Sequence, residues 1–219
     1  MPSIGTAPSI ELPTLYAILD ASCFSDDAAL FAFARELASA GVTLVQYRNK
    51  QGSATQMLSH GRELRHIFAS SANSGNVPPA TLIMNDRADL CLASGFDGVH
   101  VGQDDLSPAG VRAVIGPGRW LGVSTHNVEQ LRDADRADAT YIAAGPVFAT
   151  ASKANPDPVI GLEGVRAARA VTRKPLVAIG GITRANFREV LAAGVDSVAV
   201  IGDLLKEPRR AAQEFQIEI

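Results

Sequence analysis

Two hydroxyls and one cation, Thr150, Ser152 and Lys153, stand close together in a long connection spanning residues 145–161. Connections between packed elements are usually about 4–6 residues long, and those beyond about 12–15 are typically functional or disordered. Hydroxyl and ammonium groups are donors that suit a phosphate, and the three prolines of this segment restrict its conformations. The composition therefore predicts a cover over an anionic substrate, and a surface loop without function is the alternative.

A second group of donors alternates along the sequence as Gln46, Arg48 and Lys50. Side chains two residues apart share one face of a strand, so these three are expected to point to the same side. Val45 and Tyr47 would then face the opposite layer. Because a buried cation is costly without a partner, an anionic ligand is the predicted partner of this trio. A solvated strand end is the alternative.

Carboxylates follow two predicted strands that are neighbours in the chain. Asp86 comes after the third strand and Asp105 after the fourth, with Asp104 as a weaker candidate. Neighbouring strands lie about 5 Å apart, and Mg²⁺ is typically held by one or two carboxylates together with phosphate oxygens and water. The pair therefore predicts a magnesium site. The alternative is helix capping, by Asp86 near Ala88 and by Asp105 near Pro108.

Further polar and glycine positions follow the later strands. Ser124 could donate to a phosphate or to a heteroaromatic nitrogen, and His126 is expected to be a structural hydrogen-bonding group more readily than a base. Gly181 follows the seventh strand, and Ile201 and Gly202 follow the eighth. Glycine lets the backbone N–H groups approach an anion closely, which predicts a second anion site there.

Short apolar runs and helical patterns alternate along the chain and position these residues. The predicted strands cover residues 16–19, 44–47, 81–84, 98–101, 120–123, 141–144, 176–179 and 197–201. Eight such units predict an α/β fold, a single (β/α)8 TIM barrel with its site at the C-terminal ends of the strands. An open doubly wound sheet is the alternative. We expect a flexible N-terminal arm over residues 1–14, one barrel domain over 15–219, and a polar loop over 71–79.

Composition narrows the classes of function. The chain has 219 residues, 47% hydrophobic and 20% charged, with a net charge of -3. It has no excess of basic residues of the kind that binds nucleic acid. It also has no run of about 20 apolar residues that could span a membrane, and no signal-peptide pattern. Cys23 and Cys91 form neither a disulfide framework nor a zinc pattern, which favours the cytoplasm. The sequence leaves open whether the chain forms a homo-oligomer.

The motifs occur in a specific order: Gln46-x-Arg48-x-Lys50, Asn85-Asp86, Gly102-Gln-x-Asp105, Gly122-Val-Ser124, Gly145-Pro-Val-Phe-x-Thr150-x-Ser152-Lys153 and Gly180-Gly181-Ile182. Each motif is weak alone. Together, from about Leu15 to Leu205, the chain resembles the thiamine phosphate synthase family.

The resemblance implies a transferase that joins a hydroxymethylpyrimidine diphosphate to a thiazole phosphate or its carboxylate, releasing thiamine phosphate and pyrophosphate. Carried over by position, the pyrimidine diphosphate would be held by Gln46, Tyr47, Arg48, Asn49, Lys50, Asn85, Ser124 and Lys153. The thiazole phosphate would be held by Thr150, Ala151, Ser152, Gly181, Ile201 and Gly202. Asp86 and Asp105 would bind Mg²⁺, and Arg48, Ser124 and Lys153 would be catalytic.

The chain departs from the family pattern at three places. Ser152 stands where the family usually has Thr, Gly202 where it usually has Ser, and Ile160 where it often has Gln. Two other functions are the alternatives. One is a thiazole tautomerase of the same barrel family, with His126 as its base and no need for the metal pair. The other is a non-catalytic sensor of phosphate ligands.

Overall fold

The computed structural model describes residues 10–74, 77–150 and 157–217. The strands are β1 Leu15–Asp20, β2 Leu44–Arg48, β3 Thr81–Asn85, β4 Gly98–Val101, β5 Trp120–Thr125, β6 Tyr141–Ala144, β7 Leu176–Ile179 and β8 Ser197–Val200. The helices are α1 Asp27–Ser39, α2 Ala54–Ser74, α3 Ala88–Ser94, α4 Pro108–Ile115, α5 Val128–Arg136, α6 Gly161–Val171, α7 Phe187–Ala192 and α8 Pro208–Phe215. Short 3-10 helices cover Ala21–Cys23 and Gly202–Leu204.

The strands form one closed barrel in sequence order. Each strand pairs in parallel with the next, and β8 closes on β1 with Leu15 opposite Val198. The predicted (β/α)8 barrel is therefore confirmed, and the open doubly wound sheet is excluded. Parallel closure places the C-terminal ends of all the strands at one end of the barrel, which we call the mouth.

Two apolar layers follow from the alternation of side chains along each strand. The larger layer fills the space between the barrel and the helices. The smaller layer fills the barrel interior and consists of Tyr16, Ile18, Leu44, Ile83, Tyr141, Ala143, Val177 and Ala199. Because both faces of every strand are covered, most strand residues are apolar, as the sequence pattern predicted.

Helix boundaries follow recognisable capping signals. Asp26 accepts a hydrogen bond from the Ala29 amide at 2.8 Å and begins α1. Ser107 caps α4, with Pro108 in its first turn, as expected for these residue types. The prediction of a loop over 71–79 is wrong at its start, because α2 continues to Ser74. Ser71 donates to the Ala38 carbonyl at 3.0 Å, which holds this last turn against α1.

The end of the barrel opposite the mouth incorporates residues that precede β1. Leu12 packs against the inner layer, and the Thr14 carbonyl accepts a hydrogen bond from the Val198 amide at 2.8 Å. Residues 1–9 of the predicted arm lie outside the described residues, so the flexible arm stays a prediction. Among the helices that the structure describes, none has the length and apolar character needed to cross a membrane.

Candidate active site

The two predicted metal ligands come together at the mouth of the barrel. Asp86 directly follows β3 and Asp105 lies in the loop after β4. The Asp105 carboxylate is close enough to raise the pKa of Asp86, although burial of Asp86 is the larger cause. The predicted meeting of the two carboxylates is therefore observed. The described residues contain no group of three or more potential metal-ligating His, Cys, Asp or Glu side chains.

A cation belongs to the same cluster. Nζ of Lys50 lies 2.5 Å from Oδ2 of Asp86, and this hydrogen bond counteracts part of the rise in the pKa of Asp86. Asp86 has a φ of 61°, a left-handed conformation that is uncommon outside glycine. The carboxylate of this residue contacts Lys50 at the mouth.

Neither aspartate caps a helix through its side chain. Arg87 occupies the N-cap position of α3 and makes no side-chain cap bond. The Asp105 carboxylate instead accepts a hydrogen bond from the Gly102 amide at 2.8 Å, and α4 is capped by Ser107. The capping alternative is therefore wrong for both residues. A pair of carboxylates beside a lysine is a donor set that fits a hard divalent cation whose remaining ligands are phosphate oxygens and water.

Arg48, the last residue of β2, forms an ion pair with Asp20 at the end of β1. Asp20 is 3% exposed, and its other oxygen accepts from the amide and the hydroxyl of Ser22 at 3.0 and 2.7 Å. Arg48 therefore has a partner within the protein that was not predicted from the sequence, and the anionic ligand predicted for the trio of Gln46, Arg48 and Lys50 stays a prediction. The pair holds the guanidinium in a defined orientation at the rim.

The other predicted residues of the β2 segment divide between two faces. Gln46 points into the barrel, where it contacts Tyr16. The Tyr47 side chain is fully buried against the helices, and its hydroxyl lies 2.8 Å from Nδ1 of His60. The predicted contact of Tyr47 with the substrate cannot come from its side chain, because side chains alternate along a strand and that of Tyr47 faces the helices. Asn49 uses Oδ1 to cap the turn, accepting from the Gly52 amide at 2.7 Å.

A chain of hydrogen bonds crosses the barrel interior beneath the mouth. Nε2 of Gln46 donates to the hydroxyl of Tyr16 at 2.8 Å, which lies 2.7 Å from the hydroxyl of Tyr141. The Tyr141 hydroxyl is 3.0 Å from Nδ1 of His100, and Nε2 of His100 is 2.7 Å from Oγ of Ser124. The chain therefore connects two predicted substrate contacts, Gln46 and Ser124, through three buried residues.

Gly122 makes room for the centre of this chain. A Cβ atom at this position would lie 2.3 Å from the Tyr141 hydroxyl and 2.4 Å from Nδ1 of His100. Real Cβ atoms do not approach other atoms so closely, so a larger residue would separate the two rings. The glycine of the Gly122-Val-Ser124 motif is thus explained by the packing of the hydrogen-bonded chain.

The connection after β6 is held against the end of β7. The Val147 amide donates to the Ile179 carbonyl at 2.9 Å, and the Phe148 amide donates to the Gly180 carbonyl at 3.0 Å. Gly181 has a φ of 64°, and a Cβ there would lie 2.6 Å from the Ala149 carbonyl oxygen. This close approach places Thr150 near the loop after β7. The structure therefore places the start of this segment against the loop after β7, and the second anion site itself stays a prediction.

Residues after β8 lie on the same side of the mouth as the loop after β7. Ile201 packs against the inner layer, and Gly202 begins a 3-10 helix where an added Cβ would meet nothing within 4 Å. The loops after β7 and β8 are joined because the Arg184 amide and Nε both donate to Asp203, at 2.8 and 3.0 Å.

His126 connects the two ends of the segment after β6. Its Nδ1 donates to the Gly145 carbonyl at 2.7 Å, and its Nε2 lies 3.4 Å from Oδ2 of Asp157. The structural role expected for this histidine is therefore observed. Three predicted ligands of this segment, Ala151, Ser152 and Lys153, lie outside the described residues, and their roles stay predictions.

Four residues of this site were not predicted from the sequence: Asp20, Tyr16, His100 and Tyr141. Asp20 ends β1, and applying the strand-end rule to the first strand would have found it. His100 is the polar residue in the run Gly98–Val101, and a buried polar residue in a strand needs a partner. The two tyrosines carry no such signal, because tyrosine is common in the interior of strands.

Comparison with known proteins identifies the family of this chain. A model of the family described as "Thiamine monophosphate synthase" matches residues 15–204. The chain belongs to this family. The thiamine-phosphate synthase of Koribacter versatilis (strain Ellin345) is 59% identical over 212 residues, covering 95% of this chain and 97% of that protein. The one from Chloroflexus aurantiacus is 46% identical over 161 residues, covering 74% and 71%.

A solved structure extends the likeness to three dimensions. The thiamine phosphate pyrophosphorylase from Pyrococcus furiosus is 31% identical, with a TM-score of 0.79 over 92% of this chain and 93% of that one. The expected membership of the thiamine phosphate synthase family is therefore confirmed, and the chain is an enzyme of the transferase class.

Proposed function

We propose that this family member condenses 4-amino-2-methyl-5-hydroxymethylpyrimidine diphosphate with 4-methyl-5-(2-phosphoethyl)thiazole, or its carboxylate, to give thiamine phosphate and pyrophosphate. The observation that carries the proposal is the cluster of Lys50, Asp86 and Asp105 at the mouth. It combines a cation for the diphosphate with two carboxylates suited to a hard divalent metal.

Asp86 and Asp105 would hold Mg²⁺ in this proposal. Bound there, the ion would supply positive charge to the leaving diphosphate. Burial is the larger cause of the raised pKa of Asp86, and repulsion from the neighbouring Asp105 carboxylate adds to it. A cation between the two carboxylates would relieve this repulsion, which supports the assignment.

Other side chains at the mouth would bind and orient the pyrimidine diphosphate. Arg48, kept in place by Asp20, and Lys50 would contact the diphosphate, and Lys153 would add a third cation from the segment after β6. Gln46 and Ser124, at the two ends of the buried hydrogen-bonded chain, would orient the pyrimidine ring. Asn85, the buried last residue of β3, would lie beside them.

The thiazole phosphate would occupy the opposite side of the mouth. The backbone N–H groups of Gly181, Ile201 and Gly202, together with Thr150, Ala151 and Ser152, would hold its phosphate. This arrangement would present the thiazole nitrogen to the methylene carbon of the pyrimidine. The C–O bond to the diphosphate breaks, pyrophosphate leaves with the electron pair, and the C–N bond forms. No protein nucleophile is needed, so the catalysis would come from positioning and electrostatics.

The experiment that tests this function uses the purified chain and both phosphorylated heterocycles, with and without Mg²⁺. We expect stoichiometric release of pyrophosphate and thiamine phosphate that requires both substrates and the metal. Binding of both compounds without pyrophosphate release would contradict the proposal and favour a sensor. Metal-independent proton exchange on the thiazole phosphate, with no coupling to the pyrimidine, would instead favour the tautomerase alternative.

A further inference from the structure

The order of protons along the buried chain follows from the donors and acceptors available to it. The amide nitrogen of Gln46 can only donate, so the Tyr16 oxygen accepts from it. Among the described residues, the Tyr16 hydroxyl has hydrogen bonds only with Gln46 and Tyr141. Its single proton must therefore point to Tyr141. The Tyr141 proton must in turn point to Nδ1 of His100.

This order determines the tautomer of the histidine. Since Nδ1 of His100 accepts a hydrogen bond, the neutral ring carries its proton on Nε2. That proton is donated to Oγ of Ser124, 2.7 Å away. Within the part of the chain that the structure describes, no other side chain or carbonyl accepts the hydroxyl proton of Ser124. This proton is therefore available to an acceptor on a ligand at the mouth.

We propose that the buried chain makes Ser124 a hydrogen-bond donor to the substrate, and that Tyr16, Tyr141 and His100 are positioning residues that select an aminopyrimidine over the corresponding oxopyrimidine. This inference rests on the proposed function. The same order leaves Oε1 of Gln46 as an acceptor, so the two ends of the chain offer one acceptor and one donor. An aminopyrimidine presents an N–H donor beside a ring-nitrogen acceptor, whereas the oxo form presents an oxygen acceptor beside a ring N–H donor.

Burial stabilises this order of hydrogen-bond donors and acceptors along the chain. The side chains of Gln46, Tyr16, Tyr141 and His100 are all buried, so water cannot easily supply a substitute partner. Burial also raises the pKa of both tyrosines, and their hydroxyls therefore stay protonated over the working pH range. Reversing one member of the chain would require reversing every other, including the amide of Gln46.

The first test reads the tautomer directly in the free protein. Nitrogen-15 NMR of the histidine rings, with His100 assigned by the loss of its signals in His100→Gln, should show a neutral ring protonated on Nε2. Protonation on Nδ1 would overturn the proposal. The matched control Thr125→Val, which removes a buried hydroxyl donated to the Ala143 carbonyl on the other face of β5, should leave these signals unchanged.

The second test is a double-mutant cycle on kcat/KM for the pyrimidine diphosphate. Tyr141→Phe and Ser124→Ala should each lower this value by roughly 2- to 10-fold, as expected for one hydrogen bond. The double variant should be no worse than Ser124→Ala alone, because both changes remove the same interaction. Losses that multiply independently would overturn the proposal.

Further measurements on Tyr141→Phe distinguish a positioning role from a purely structural one. In Tyr141→Phe, the KM for the thiazole phosphate should stay constant, and the preference for the aminopyrimidine over an oxopyrimidine inhibitor should fall. An unchanged preference would contradict the inference. Should Tyr141→Phe not fold, Tyr16→Phe interrupts the same chain. If the wild type released no pyrophosphate, the proposed function would fail, whereas the NMR result would still decide the tautomer.

Discussion

Nζ of Lys50 and Oδ2 of Asp86 are in contact at 2.5 Å, so the cation of the β2 segment and the carboxylate after β3 form one unit before a ligand binds. Burial and the nearby Asp105 nevertheless raise the pKa of Asp86 above its ordinary value. The free protein therefore contains a carboxylate whose ionised form is only partly compensated.

Replacing Asp86 by Asn should separate metal binding from stability. A group whose folded-state pKa is raised contributes stability that is fully present below its unfolded pKa, about 3.9 for Asp, and loses it as the pH rises through the folded pKa. Asn removes this titration and tolerates the left-handed backbone. In metal-free buffer at pH 7, we expect Asp86→Asn to unfold at or above the wild-type temperature, with this advantage shrinking towards pH 4.

The effect of Mg²⁺ on the melting temperature gives a second measurement on the same variant. Added Mg²⁺ should raise the melting temperature of the wild type, because a ligand stabilises the state that binds it, and it should have no effect on Asp86→Asn. Asp89→Asn, at an exposed position in the first turn of α3, is the matched control and should respond like the wild type. An equal response in all three proteins would remove Asp86 from the metal site.

The buried ion pair of Asp20 and Arg48 predicts a stability effect. Asp20→Asn keeps an oxygen for Ser22 but leaves the partly buried guanidinium without its counter-charge. We expect a loss of about 1–3 kcal/mol in the free energy of unfolding, measured by urea denaturation. Glu63→Gln breaks an exposed pair with Arg35 and should cost no more than about 1 kcal/mol. Equal effects would show that the burial of Asp20 is unimportant.

Gly122→Ala should disrupt the barrel interior. The added methyl would lie between Tyr141 and His100, and overpacking of this kind costs about 1–3 kcal/mol. We expect a lower melting temperature together with reduced kcat/KM for the pyrimidine diphosphate. Gly118→Ala is the control, since a Cβ there meets nothing within 4 Å. Wild-type stability and turnover in Gly122→Ala would show that the interior adapts to the methyl.

His126 predicts a graded effect on the thiazole side of the site. His126→Asn can still donate to the Gly145 carbonyl but cannot reach Asp157, whereas His126→Ala loses both contacts. The KM for thiazole phosphate should rise from wild type to Asn and again to Ala, and the KM for the pyrimidine diphosphate should stay constant. Identical values for Asn and Ala would exclude the Gly145 contact as the cause.

The space at Gly202 predicts a gain of affinity. A side chain fits there without contact, so Gly202→Ser can add a hydroxyl donor to the phosphate site. We expect the KM for thiazole phosphate to fall by about 10-fold or more, because a hydrogen bond to a charged group contributes about 1.5–3 kcal/mol. Gly202→Ala should leave the KM unchanged. A similar fall in both variants would assign the effect to the backbone.

Local patterns in the sequence predicted the fold and the position of the site. Eight apolar runs separated by helices specify a barrel, and its closure then brings Asp86 and Asp105 together without further information. The partners of buried groups could not be predicted in this way. Asp20 meets Arg48 across two strands, and Tyr16 meets Tyr141 although they are 125 residues apart. Such contacts depend on strand register and on the depth of each side chain in the barrel, which periodicity does not encode.

The pairing of Arg48 with Asp20 and of Lys50 with Asp86 has a consequence for how anions reach this enzyme. Each positive charge has a negative charge within contact distance, so the potential of these four side chains falls off much faster than that of isolated cations. Association should then depend only weakly on ionic strength. Abundant cellular anions would not accumulate around these residues, and only a ligand that reaches them and exchanges partners would be retained.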